Sequence, residues 1–127
     1  MATRSRIGMV NKDGSITSIY CHWDGYPEYN GKILNEYYMD ADKVNALMKL
    51  GDISSLAENL EPKDNEPHSF DNPVKGVVVA YGRDRGETGV EATASKDFDD
   101  FINCCNSCYV EYAYLFENGK WKEVYNC

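Results

Sequence analysis

The sequence predicts an α+β fold: a mostly antiparallel sheet of about five strands, with about three helices packed on one face. Three observations predict it, namely a strand-turn-strand pattern near each end of the chain, a compact β-branched run in the middle, and apolar residues at helical spacing between them. The chain has 127 residues, a usual size for one domain, and 43% of them are hydrophobic. We therefore expect a single packed domain over residues 1–127.

The N-terminal hairpin is predicted over residues 5–22. Strand-like runs at 7–10 and 16–20 flank a turn that contains Asp13-Gly14, a pair that accepts positive φ. The two strands should therefore pair directly in an antiparallel arrangement.

The first helix is expected directly after this hairpin. Asp24 is placed to cap it and Pro27 to open it, because a proline at the first helical position loses no hydrogen bond. The helix should bury one tyrosine-rich face, made of residues at helical spacing: Tyr26, Tyr29, Ile33, Leu34 and Tyr37.

A second helix should begin near Asp40 and stop at Gly51, which easily takes a left-handed conformation. Its inner residues would be Val44, Leu47 and Met48, and residues 52–60 are expected to add one more helical turn. Residues 61–76 carry three prolines among polar residues, which predicts a long, mobile surface loop.

The second half of the chain should begin with a buried strand at 77–81 and a glycine-bearing loop at 82–89. A helix then follows Ser95, with its inner face formed by Phe98, Phe101, Ile102 and Cys105. The last hairpin joins 109–116 to 120–125 through Asn118-Gly119, a pair suited to a type I′ turn.

The net charge of -8 bears on the class of partner. An acidic chain is repelled by phosphate backbones, so we expect no direct nucleic-acid binding, and a basic partner suits it better. The sequence has no run of about 18 apolar residues and no apolar segment of signal-peptide length near its start, which predicts no membrane contact and a cytoplasmic location. A homo-oligomer is left open.

Two constellations are candidate binding sites. His22, Trp23, Asp24 and Tyr26 lie at a strand-to-helix junction, where free backbone N–H groups could receive an anion, although capping by Asp24 and local packing are favoured over a binding role.

The second candidate pairs Arg83 with Arg85 in a glycine-flanked loop, where two guanidinium forks could hold a phosphate. The loop lacks the spacing of nucleotide-binding glycine motifs, so salt bridges within the loop are favoured over a phosphate site.

The cysteines offer a third candidate. Cys105 and Cys108 have the spacing of half a zinc site, which Cys21 and His22 could complete, but a second paired motif is missing. The pattern favours buried thiols, no cofactor and no disulfide among the five cysteines, which include Cys104 and Cys127. The run 68–71 contains the residue types of a catalytic triad, but its setting is typical of a turn.

Several stretches of the chain, at 5–8, 18–27, 51–56, 81–86 and 112–116, resemble a family of small bacteriophage and prophage proteins. The block that carries most of this resemblance is Ser18-Ile19-Tyr20-Cys21-His22-Trp23-Asp24-Gly25-Tyr26-Pro27. The resemblance implies a phage accessory protein that binds and inhibits a host or defence-system protein, for counter-defence or host takeover, without catalysis.

Three alternatives remain open. The first is a sponge for a nucleotide signal, with Arg83 and Arg85 on its phosphates and Trp23 or Tyr26 stacked on its base. The second is a small nucleotide-processing enzyme that uses His22 and Asp24. The third is an acidic mimic of DNA.

Overall fold

In a computed structural model, which describes residues 2–63 and 66–126, the chain forms an α+β fold around one mixed sheet. Cys127 lies outside the described residues, as do residues 64 and 65 of the proline-rich loop. The strands, in chain order, are β1 (Ser5–Val10), β2 (Ile16–Cys21), β3 (Ile53–Ser55), β4 (Val79–Ala80), β5 (Thr93–Ser95), β6 (Tyr112–Glu117) and β7 (Lys120–Asn126). Their order across the sheet is β4-β3-β2-β1-β6-β7, and β5 pairs with β2.

Four helices accompany the sheet. A π-helical segment, Pro27–Gly31, continues into α1 (Lys32–Tyr37), and α2 (Ala41–Leu50), α3 (Tyr81–Arg85) and α4 (Phe98–Ser107) follow. Within the described part of the chain, none of these helices is long and apolar enough to span a bilayer.

Both terminal hairpins are confirmed. In the first, β1 pairs with β2 so that Ile7 lies opposite Ile19, and Gly14 in the turn has a φ of 88°. In the second, Asn118 and Gly119 have φ values of 54° and 74°. Positive φ at both central residues is the signature of the predicted type I′ turn.

The pairing of the strands is more mixed than predicted. β1 runs parallel to β6, and β2 runs parallel to β3, so that the mostly antiparallel arrangement of about five strands was only partly right. The hairpins contribute antiparallel pairs, but the intervening helical crossovers bring later strands back in the same direction. The additional strands include β3 and β5, and both are only three residues long. Ile53–Ser55 replaces the helical turn expected within 52–60.

The helices cover both faces of the sheet, which corrects the expectation of one covered face. Ile7 and Tyr114 belong to the core cluster under α1 and α2, whereas Ala113 and Leu115 belong to the cluster under α4. Successive side chains of a strand point to opposite faces. The buried residues of β6 that point to one face of the sheet are apolar, and so are those that point to the other face. Both faces must therefore be shielded from water.

The helix signals were partly right. α2 is capped by Asp40, whose carboxylate accepts from the Asp42 N–H at 3.0 Å, and it ends at Gly51 with a φ of 77°. α4 is capped by Asp97 and buries Phe101, but Phe98 is 46% exposed and was wrongly placed inward.

The first helix differs most from the prediction. Pro27 opens it as expected, but Asp24 lies before it with a φ of 57° and does not cap it. Its buried residues are Asn30, Leu34 and Tyr38, whereas the predicted inner tyrosines are exposed: Tyr26, Tyr29 and Tyr37. A π-helical turn holds more residues than an α-helical turn, which displaces the inner face relative to a regular helical pattern.

Candidate functional site

A cleft opens where one edge of β2 lacks a strand partner. β5 pairs with residues 16–18 of this edge and β3 pairs with Cys21, so that Tyr20 lies between them. The Tyr20 N–H donates instead to Oδ1 of Asp52, at 2.9 Å. The space beside this part of β2 is open and measures about 510 Å³.

We call this space the aromatic cleft, because five of its residues carry aromatic rings. The end of β2 and the residues after it supply three of them, and the proline-rich loop and α3 supply the other two. The full lining is Tyr20, His22, Trp23, Asp52, Ser54, Phe70, Tyr81, Arg85, Glu87 and Val90.

His22 is held at the wall of the aromatic cleft by its neighbours. Its Nδ1 lies 2.8 Å from the hydroxyl of Tyr20, and its ring meets that of Trp23 in a T-shaped contact with centroids 4.7 Å apart. The backbone N–H groups of His22 and Trp23 donate to the carbonyls of Ile53 and Ser54. These contacts fix the imidazole while the Trp23 side chain stays 44% exposed.

Arg85 occupies the opposite wall. Its guanidinium carbon lies 4.5 Å from the ring centroid of Phe70 and 4.9 Å from that of Tyr81, a distance typical of cation–π contacts. It also forms a salt bridge with Glu87. The predicted glycine-bearing loop therefore begins as the short helix α3, which ends at Gly86 in a left-handed conformation.

Arg83 does not line the aromatic cleft. Its guanidinium donates to the carbonyls of Leu60, at 2.6 Å, and Val78, at 2.7 Å, and its Nε donates to Asp84 at 2.9 Å. These bonds connect the start of the proline-rich loop to β4. The two arginines therefore do not form one site, because Arg83 makes structural hydrogen bonds and Arg85 faces the aromatic cleft.

The proline-rich loop, which the sequence predicts to be mobile, is anchored near its middle. Nδ1 of His68 accepts from the Val74 N–H at 2.9 Å, and Nε2 lies 3.2 Å from Oδ2 of Asp84. The Phe70 N–H donates to the Asp84 carbonyl. Burial alone would raise the pKa of Asp84, but hydrogen bonds from Arg83 and from the Ala80 N–H outweigh it, and the pKa lies below its ordinary value.

Asp52 is the carboxylate of the aromatic cleft. Its N–H donates to the Val90 carbonyl at 2.7 Å, and its carbonyl accepts from the Tyr81 N–H at 3.2 Å, so its backbone is fixed on both sides. Burial raises its pKa, and it also raises the pKa of the Tyr20 and Tyr81 hydroxyls that share the cleft. The carboxylate is therefore poorly solvated and favours an additional hydrogen-bond donor.

Two of the predicted site residues, Asp24 and Tyr26, lie outside the cleft. The Tyr26 hydroxyl donates to Oδ1 of Asp24 at 3.4 Å. The chain between them passes close to β1, since a Cβ on Gly25 would lie 2.7 Å from that of Ser5. The structure therefore brings His22, Trp23 and Arg85 together and leaves Asp24, Tyr26 and Arg83 elsewhere.

The cysteines are not assembled into a metal site. Cys21 belongs to the core cluster under α1 and α2, and Cys105 belongs to the cluster on the other face of the sheet. Burial raises the pKa of Cys21 to about 11 and that of Cys105 to about 12, so both are neutral thiols. Among the described residues, no three histidine, cysteine or acidic side chains lie close enough to hold a metal ion.

A second surface, not foreseen from the sequence, lies along the first helix. We call it the aromatic strip, and it consists of four large side chains that are 36% to 46% exposed: Tyr26, Tyr29, Tyr37 and Met39. The helical spacing of its three tyrosines was visible in the sequence but was attributed to the core.

Seven residues of the cleft were not predicted as site residues, and Asp52, Phe70 and Tyr81 are three of them. Tyr81 stands next to the arginine motif, which was a usable signal, whereas Asp52 was placed in an expected helical turn and Phe70 in the proline-rich loop. Comparisons of the chain with protein-family models, with curated proteins and with solved structures found no match. The similarity to bacteriophage proteins therefore stays a prediction.

Proposed function

We propose that this chain is a bacteriophage accessory protein that binds and inhibits a basic host or defence-system protein in the host cytoplasm, without catalysis. The aromatic strip is its docking surface. The observation that carries this proposal is the exposure of Tyr26, Tyr29, Tyr37 and Met39 on one short segment. Exposed tyrosines are typical of protein interfaces, because a large rigid ring contributes contact area at a small cost in side-chain entropy.

The strip is built on a rigid support. Ile33 and Tyr37 stand four residues apart in α1, so they lie on one side of the helix. Tyr29, in the π-helical segment, borders the same surface depression as Ile33. Beneath them, Leu34 and Tyr38 are fully buried. A partner therefore meets a preorganised surface and loses little free energy to ordering it.

The charge around the strip selects the kind of partner. Five acidic residues and two lysines accompany it: Asp24, Glu28, Glu36, Asp40 and Asp42, with Lys32 and with Lys43, whose Nζ lies 6.0 Å from the ring centroid of Tyr37. Together with the net charge of -8, this favours a basic protein surface, such as that of an enzyme that acts on nucleic acid. An acidic mimic of DNA would present the same kind of negatively charged surface to such an enzyme.

The geometry around His22 supports binding over nucleotide processing. The structure gives the two residues separate partners, since His22 contacts Tyr20 and Asp24 contacts Tyr26, and only His22 lines the aromatic cleft. Neither hydrogen bond orients the other residue for proton transfer.

The test is a comparison of three tagged proteins in a bacterial host lysate: the wild type, the double variant Tyr29→Ala/Tyr37→Ala, and the control Phe98→Ala. Phe98 is as exposed as the strip residues but lies on α4. We expect the wild type and the control to retain the same basic protein at fixed stoichiometry, and the double variant to lose it by roughly tenfold or more in affinity.

The captured protein is then purified and assayed for inhibition. We expect inhibition by the wild type to be complete near one equivalent and to weaken as salt rises, since charges contribute to the association. Binding that is equal for the wild type and the double variant would remove the aromatic strip from the proposal. Inhibition at far below one equivalent would indicate catalysis instead.

A further inference from the structure

The aromatic cleft is separate from the aromatic strip and has the features of a small-molecule site. Trp23 lines it with 44% of its surface exposed, and it touches His22 edge-on, which leaves part of the indole open. Phe70 and Val90 add apolar surface. An open indole beside apolar walls suits a flat heterocycle, which stacks on an aromatic ring.

Asp52 supplies a directional acceptor in the same cleft. One of its oxygens, Oδ1, already accepts from the Tyr20 N–H, and among the described residues no donor reaches Oδ2. A partly buried carboxylate oxygen with a fixed backbone is preorganised for a ligand that presents N–H groups. Each carboxylate oxygen has two acceptor sites, so Oδ1 can accept a second N–H while Oδ2 accepts its first. Of the common nucleobases, guanine presents two adjacent N–H donors on one edge, whereas adenine presents one donor beside an acceptor.

Arg85 supplies the positive charge. Its Nη2 is paired with Glu87, and its Nε and Nη1 have no hydrogen-bond partner within the described ranges. Its contacts with the rings of Phe70 and Tyr81, which lie beside each other, hold the guanidinium at the wall of the cleft. Two remaining donors on a fixed guanidinium can contact a phosphate at the mouth of the cleft.

We propose that the aromatic cleft binds a guanine nucleotide. The base stacks on Trp23, its N–H edge donates to Asp52, and its phosphate accepts from Arg85. This site does not depend on the docking proposal, because none of these three residues belongs to the aromatic strip. A protein with both features would sequester a nucleotide and bind a protein on different surfaces.

The experiment uses the two tryptophans as internal probe and control. In a ¹⁵N-labelled sample, the indole N–H signal of Trp23 should move on titration with guanosine 5′-monophosphate. The signal of Trp121 should stay in place, because Trp121 is buried and its Nε1–H is bonded to the Tyr38 carbonyl. The variant Trp23→Phe assigns the two signals.

Ligands that lack one group test each contact. Guanosine without phosphate, adenosine 5′-monophosphate and inorganic phosphate should each bind at least roughly tenfold more weakly than guanosine 5′-monophosphate, because each loses one charged hydrogen bond or the stacked base. Inorganic phosphate that bound as well as the nucleotide would show an anion site only, and would overturn the assignment of a base.

Matched variants test the residues. Asp52→Asn keeps an oxygen for the Tyr20 N–H and should erase the preference for guanine over adenine. Arg85→Gln should reduce the affinity for the nucleotide to that for guanosine, and Lys12→Gln, in the exposed β1–β2 turn, should change neither. Tyr29→Ala/Tyr37→Ala should bind the nucleotide normally, which separates the two proposals.

The proposal is overturned if millimolar guanosine 5′-monophosphate leaves the Trp23 signal in place. It is also overturned if Asp52→Asn and Arg85→Gln, both folded, bind the nucleotide as the wild type does. Arg85 is solvent-exposed, so Arg85→Gln should fold normally. Its affinity for the nucleotide therefore tests the proposal even if Asp52→Asn is unstable.

Discussion

The indole nitrogen of Trp121 donates a hydrogen bond of 2.8 Å to the main-chain oxygen of Tyr38. This bond joins β7 to the residue that ends α1. The hydroxyl of Tyr38 donates in turn to the Ala57 carbonyl at 2.7 Å. Since Tyr38 follows Tyr37 directly, these two bonds also determine where the end of the aromatic strip lies.

Replacement of Trp121 by Phe should therefore destabilise the protein. The change leaves a buried carbonyl without its donor, which costs about 1–3 kcal/mol of unfolding free energy. Urea unfolding measures it. Trp23→Phe, at an exposed position, is the control and should stay within about 0.5 kcal/mol of the wild type. Equal losses for the two variants would show that the hydrogen bond is not what matters at Trp121.

Two glycines of the same region should respond oppositely to alanine. A Cβ on Gly25 would lie 2.7 Å from the Cβ of Ser5 and 2.8 Å from the Thr3 carbonyl, so Gly25→Ala should cost about 1–3 kcal/mol. A Cβ on Gly31 would meet nothing closer than 3.4 Å, and its backbone is helical. Gly31→Ala should therefore be neutral or stabilise by up to about 1 kcal/mol. Thermal unfolding of both variants measures whether each substitution lowers or raises the stability of the protein.

The stability that Asp84 contributes should depend on pH. Its native pKa is lowered, so its contribution is present above the unfolded value of about 3.9 and is lost as the pH falls through the native pKa. Asp84→Asn should be less stable than the wild type at pH 7, and the gap should narrow below about pH 4. Urea unfolding at the two pH values measures this. Asp71→Asn, in the exposed part of the loop, controls for the loss of one charge.

The buried thiols should weaken the protein in alkali. Cys21 and Cys105 have native pKa values of about 11 and about 12, raised above the unfolded value of about 8.5. Above about pH 8.5 the unfolded chain releases protons that the native state keeps, so stability falls by about 1.4 kcal/mol per pH unit for each thiol. Cys21→Ala/Cys105→Ala should show a flatter decline between about pH 8.5 and 10. Equal slopes of unfolding free energy against pH for the double variant and the wild type would contradict this.

Much of the local structure was predictable because its signals are local. Asp13-Gly14 and Asn118-Gly119 specify turns through backbone conformations that few other pairs accept. Asp40 marks the start of α2 by capping it. The parallel pairs were not predictable in this way, because they depend on which strands meet after the helices have packed.

The candidate site was predictable to the same extent: its local signals could be recognised, and its long-range contacts could not. His22, Trp23 and Arg85 were recognisable by residue type and setting, but their meeting in one cleft depends on how β2, α3 and the proline-rich loop pack together, which no local pattern predicts. Asp52 was assigned to a helical turn and Phe70 to a mobile loop. The exposed tyrosines were assigned to the core, because a π-helical segment cannot be distinguished from an α-helix by spacing alone.

The parallel pairing of Ser5–Val10 with Tyr112–Glu117 has a consequence for how the protein is made. A ribosome releases β1 early, but the strand that completes its second edge emerges only after nearly all of the intervening chain. Until β6 pairs with it, β1 presents backbone N–H and C=O groups without partners, and strands of other nascent chains can pair with them. Assembly of the sheet therefore depends on a contact between distant parts of the chain, which is typical of slow folding.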